Sequence, residues 1–194
     1  MEKFKLTRGE KAWILYDVGN SAFILLVSTI IPIYFNALAA GEGISDSDYL
    51  AAWGYAGSVS TLLVAVSSPL LGTLADRRNM KPILFVASLI LGALGCACLG
   101  FAWGWVSFLV IFVIAKVGYS SANVFYDAML PEITTESRMD KVSSLGYAFG
   151  YIGSCIPFIL SLVVVLFYER FGISQTTAML IAFLITTVWW VGLT

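Results

Sequence analysis

Lys116, Ser120, Asn123 and Asp127 follow one another at intervals of 4, 3 and 4 residues, the spacing that places side chains on one face of an α-helix. A cation, a hydroxyl, an amide and a carboxylate in one row can hold a charged or hydrogen-bonding solute. Covalent chemistry is a poorer match. The chain has no His, and so lacks the commonest metal ligand and neutral-pH base. Its three cysteines, Cys96, Cys98 and Cys155, all lie in apolar runs, which leaves no zinc cluster or disulfide framework. No glycine loop ending in Lys-Ser or Lys-Thr is present to cradle a phosphate. The expectation is a chain with no metal, no cofactor, no nucleic-acid partner and no enzymatic activity.

A second polar row, Asp17, Asn20, Ser21 and Ser28, lies near the N-terminus. Both rows sit in apolar surroundings: 59 % of the 194 residues are hydrophobic and only 12 % charged, half of what a soluble domain carries. Mean hydropathy is +0.89. The elements that must position these rows are therefore membrane helices, each needing about 20 mainly apolar residues. Six stretches qualify: 12–38, 50–74, 82–102, 105–129, 142–167 and 175–194. The expected organisation is a tail over 1–11 followed by a six-helix transmembrane domain over 12–194. The first stretch is too long for a signal peptide and has no small-residue cleavage site, so it is read as retained.

Basic residues in the connections set the orientation. Lys3, Lys5, Arg8, Lys11, Arg77, Arg78, Lys81, Arg138 and Lys141 fall on one side, and Arg170 alone on the other. The N-terminus and the loop after span two are thus expected in the cytoplasm, in the inner membrane if the source is bacterial. The last span runs out at VWWVGLT with no polar tail, which suggests part of a longer chain.

That second loop carries a signature. Gly72-Thr-Leu-Ala-Asp76-Arg77, then Lys81-Pro82, resembles the cytoplasmic loop motif of major facilitator superfamily transporters, with Arg78-Asn79-Met80 standing where the pattern has x-Gly-Arg. AWILYDVGNSAF in span one, and NVFYDAMLPEI leading to KVSSLGYAFGYIG, look like the vacuolar amino-acid effluxers linked to autophagy and their bacterial relatives. The resemblance implies an all-α membrane protein forming one half, two inverted three-helix repeats, of a twelve-helix transporter. It further implies a C-terminal six-helix half as partner, a small-molecule substrate such as an amino acid, lipid contacts, and a cytoplasmic latch at Gly72, Asp76 and Arg77.

Ionisable residues at membrane depth usually face the bundle interior. Substrate binding is expected at Lys116, Asn123, Asn20 and Asp17, and a gating role at Asp127, paired with Arg77. Lys116 and Asp127 are 11 residues apart, about 16 Å along a helix, too far to pair with each other. Lys116 has three open readings: a substrate carboxylate, an acidic group of the other half, or snorkelling to the outer interface. Asp17 has two, a substrate contact or a rim carboxylate. If spans one and four are counterparts of an inverted repeat, D-x-x-N in one and N-x-x-x-D in the other should meet at the cytoplasmic mouth of a cavity. Gly146, Gly150 and Gly153 form a small-residue stripe read as helix packing. Trp13, Trp103, Trp105 and the Trp189-Trp190 pair are read as interfacial belts. The leading function is alternating-access transport of a small solute, with amino-acid efflux as its finer form. The alternative is a non-transporting six-helix module that acts as an assembly partner or homodimer.

Overall fold

A computed structural model describes residues 5–194; Lys3, counted above with the basic side, lies outside them. It is 86 % helical with no strand among the described residues, and six helical segments are long and apolar enough to span a membrane. In chain order the helices are α1 (Arg8–Ser28), α2 (Ile30–Gly41), α3 (Asp46–Ala75), α4 (Met80–Cys98), α5 (Trp105–Ile133), α6 (Glu136–Leu166) and α7 (Gln175–Gly192), with a 3₁₀ turn at Leu99–Phe101. The all-α membrane class therefore holds.

Two boundaries differ from the expectation. Helix α1 begins at Arg8, so part of the tail assigned to 1–11 is helical. Its start is set by a capping box: Thr7 Oγ1 accepts the Glu10 amide at 3.2 Å while Glu10 Oε2 accepts the Thr7 amide at 2.8 Å. The first span is also two helices rather than one. Pro32 has no amide proton for the Ser28 carbonyl, and its ring crowds that carbonyl. The ladder breaks at Thr29 (φ −131°, ψ −73°), where the Ser28 and Thr29 hydroxyls donate back to the Ile24 and Leu25 carbonyls at 2.8 and 2.5 Å.

The most extensive helix contacts are α4 with α5 and α1 with α6; α6–α7, α3–α5, α1–α7 and α4–α7 follow. With α1–α2 counted as span one, exchanging spans 1–3 for spans 4–6 maps all of these contacts but α6–α7 onto one another, and α6–α7 onto the slighter α3–α4 contact. The α1–α6 contact becomes α5–α3, and α4–α5 becomes α7–α1. Three spans separate the partners, so the units run oppositely through the membrane, as in one half of a major facilitator fold.

Small residues bring these helices together. A Cβ on Gly95 would lie 2.7 Å from Ala115 Cα, and one on Gly118 would lie 2.6 Å from Gly92 Cα. On the other axis, Gly146 faces Trp13, Gly150 faces Ser21 and Asp17, and Gly153 faces Val18. The α6 stripe thus packs on α1, as read from sequence.

The loop between α3 and α4 turns through Asn79, whose φ of 63° is the only positive value at a non-glycine position among the described residues. Asn tolerates the left-handed region better than other side chains, which explains its place where the facilitator pattern has Gly. Asn79→Gly is expected to leave stability within about 0.5 kcal/mol, and Asn79→Val to cost about 1–2 kcal/mol. Thermal melting of the two variants in detergent checks this.

Candidate functional site

The side chains that could handle a solute gather where α1, α5 and α6 meet. Their order follows from helix periodicity: Asp17 and Asn20 are one turn apart on α1, and Asn123 and Asp127 one turn apart on α5. In the structure they form a directed chain. The Tyr16 hydroxyl donates to Asn123 Oδ1 at 3.4 Å, Asn123 Nδ2 donates to Asn20 Oδ1 over a long 3.5 Å, and Asn20 Nδ2 donates to Asp17 Oδ1 at 3.2 Å. Asn20 and Asn123 thus face each other, as the inverted-repeat argument expects. Each donor in the series polarises the next toward the carboxylate.

These groups border a cavity of about 210 Å³, whose wall includes Asp17, Asn20, Asn123 and Asp127. Tyr119 and Tyr126 close it from α5, and Tyr147 and Tyr151 from α6. Gly146 and Gly150 leave the room: a Cβ on either would lie 3.2–3.3 Å from Asp17 Oδ2. Asp17 is buried, while Asp127 is exposed on the same wall. By contrast, the groove along Ile181, Ile185 and Val188 of α7 is almost wholly apolar, as a lipid-facing surface should be.

The indoles correct the belt reading in part. Trp13 is buried, lines the cavity, stacks on Tyr126 (ring centroids 4.3 Å apart, planes 12° apart) and donates to the Tyr126 carbonyl at 3.2 Å. Trp190 is fully buried between Phe23 and Tyr119. Their helix faces turn into the bundle. Trp103, 89 % exposed, keeps a position suited to a belt.

Lys116 does not join the cavity. It shares α5's polar face with Asn123 and Asp127, but the neighbour of that face changes with depth. Near Lys116 the neighbour is α3, and the lysine lies in a groove with Gly54, Gly57, Ser58 and Thr61. Its Nζ is 5.9 Å from the Phe112 ring centroid, and no carboxylate pairs with it among the described residues.

The latch residues also depart from expectation. Asp127 forms no ion pair with Arg77 among the described residues; it belongs to the cavity wall, and Arg77 to the loop pocket with Asp76 and Glu132. Asp76 is the C-cap of α3 and is exposed. Among the described residues no other element comes within 4 Å of where a Cβ on Gly72 would stand, so Gly72 makes no close helix contact here. The loop is tied instead by Lys81, which pairs with Glu132 and donates to the Ala128 carbonyl at 3.3 Å.

A second tie was not anticipated. Arg138, at the start of α6, grips Glu10 with Nε on Oε1 at 2.8 Å and one terminal nitrogen on Oε2 at 2.7 Å. Thr134 Oγ1 donates to Oε1 at 2.6 Å, and Arg138 also reaches the Lys5 carbonyl at 2.9 Å. Glu10 is 1 % exposed. The sequence held one clue, the Thr7-x-x-Glu10 capping pattern, but not the distant arginine. Glu10→Ala is expected to lower the melting temperature by several degrees and expose the α5–α6 connection to protease. Glu10→Gln, which loses charge but retains shape, should fall between it and wild type.

Residues 7–194 match the family described as "Vacuole effluxer Atg22 like". The chain belongs to this family. YxiO of Bacillus subtilis (strain 168), an uncharacterized MFS-type transporter, is 38 % identical over 191 residues, covering 96 % of this chain and 45 % of YxiO. An uncharacterized protein of Aquifex aeolicus (strain VF5) is 27 % identical over 150 residues, covering 76 % of this chain and 36 % of its own length. No solved structure matches. The chain thus spans less than half the length of these two curated relatives.

Proposed function

We propose that this chain forms the N-terminal half of a secondary transporter in which an alternating-access motion exposes the α1–α5–α6 cavity to either side of the membrane in turn. The observation that carries the reading is the Tyr16–Asn123–Asn20–Asp17 chain on the wall of a cavity inside a membrane bundle. Unpaired charge at membrane depth costs about 2.5–3.5 kcal/mol even on lenient scales, so such a cluster calls for a role. Membership of a transporter family supports that role. The family description, together with the sequence resemblance, favours an amino acid or similar metabolite as solute and export as direction.

The cavity residues of α1 and α5 lie toward the helix ends that join the Lys- and Arg-rich connections, and the positive-inside rule favours a mouth on the cytoplasmic side. Large apolar side chains of α3 and α6, among them Tyr55, Leu62, Val66, Ile152 and Ile159, are exposed. A second six-helix half, consistent with the greater length of the relatives, would cover part of this surface. Lys116 faces the same side and is left to meet a negative group from outside this chain, either the solute or that half. Gly72 and the side chains of Asp76 and Arg77, which have no hydrogen-bond or ion-pair partner among the described residues, would form their latch against it. The test is efflux of radiolabelled amino acids from vesicles containing the full-length protein. Saturable, countertransport-competent flux is expected; its absence for every amino acid would favour a non-transporting module.

A further inference from the structure

We infer that the α1–α5–α6 cavity is a receptor for an organic ammonium group. The inference rests on the transport reading above and specifies its solute. Two carboxylates, Asp17 and Asp127, share the wall, and no Lys or Arg does. Neither has an ion-pair partner among the described residues, although Asp17 is 8 % exposed. A buried carboxylate without a counter-ion is held at a cost that a bound cation removes.

The rest of the lining specifies which cation. Tyr119, Tyr126, Tyr147 and Tyr151 offer ring surface around the two acids, and π faces attract ammonium groups. A metal ion of sodium's hardness wants a shell of converging oxygens. Here Asp17 Oδ1 already accepts a hydrogen bond from Asn20, which leaves fewer free oxygens to converge on such an ion. Tyr126, 5 % exposed, also lines the cavity; its hydroxyl is buried without a hydrogen-bond partner among the described residues, so its oxygen is out of reach of an occupant. The space, about 210 Å³, equals the share of about seven liquid waters, which suits a small amine or amino acid and excludes a bulky cation.

The experiment is binding to the purified full-length protein, read by thermal shift and titration, with four probes. Phenethylamine carries the ammonium alone, hydrocinnamate the carboxylate alone, phenylalanine both, and sodium chloride tests the inorganic cation. Phenethylamine and phenylalanine are expected to bind and hydrocinnamate not to. Preference for phenylalanine would identify the ammonium as that of an amino acid; preference for phenethylamine, as that of a free amine. Asp17→Asn should weaken phenethylamine at least ten-fold, and Asp127→Asn, at an exposed position, should do the same if the buried variant fails to fold. Equal binding of hydrocinnamate and phenethylamine, stabilisation by sodium alone, or an Asp127→Asn protein that binds like wild type would overturn the inference. Flux of any solute by the same preparation would in that case leave the transport reading standing. Amine binding without flux would do the reverse.

Discussion

Gly118→Val is expected to leave little folded protein in the membrane. Helices α4 and α5 form the tightest pair in the bundle, and they do so by backbone contact. Gly92 lies against Gly118, and Gly95 against Ala115, in antiparallel register. A Cβ at Gly118 would overlap the Gly92 amide nitrogen and sit 2.9 Å from the Leu91 carbonyl carbon. No rotamer change relieves a clash with backbone. Moving α4 outward is also blocked, because Trp190 closes over the crossing from α7, 2.8 Å from where a Gly92 Cβ would stand. The cost should reach or exceed the upper end of ordinary overpacking, about 3 kcal/mol. Gly57→Ala is the control, since its Cβ would meet only Lys116 Nζ at an ordinary 3.7 Å. Fluorescence-detected size exclusion and thermal melting separate the outcomes. A Gly118→Val protein that melts with wild type would mean that α4 and α5 do not cross this closely.

Asn123→Leu is expected to keep the fold but remove at least nine-tenths of the flux. The substitution nearly preserves volume in a partly exposed position. It removes the acceptor of the Tyr16 hydroxyl and the donor to Asn20 Oδ1 together. Asn20 then loses the restraint that aims its amide at Asp17. Each orphaned group costs about 1–3 kcal/mol if it stays buried, and the wall toward the solute is disordered at its centre.

Much of this arrangement was legible in the residues. Six apolar stretches locate the six spans, and D-x-x-N against N-x-x-x-D anticipates the meeting of Asn20 with Asn123. What escaped did so for definable reasons. Lys116 shares a helix face with Asn123, but face alone does not say which neighbour lies opposite at each depth. The Glu10–Arg138 tie joins residues 128 apart, and no local spacing encodes it. Trp13 and Trp190 sit near span ends, where belts are common, yet their neighbours Gly146 and Gly92 make pockets that bury them. The break at Thr29 follows from Pro32, whose effect on the carbonyl one turn earlier outweighs the tolerance of membrane helices for proline.

The most direct measurement compares initial amino-acid flux in proteoliposomes for full-length wild type, Asn123→Leu and Asn20→Leu, at matched amounts of folded protein. Loss of at least ten-fold in both variants is expected, since the two side chains act through one hydrogen-bonded chain. Undiminished flux in both would place the solute path outside the α1–α5–α6 cavity and contradict the account.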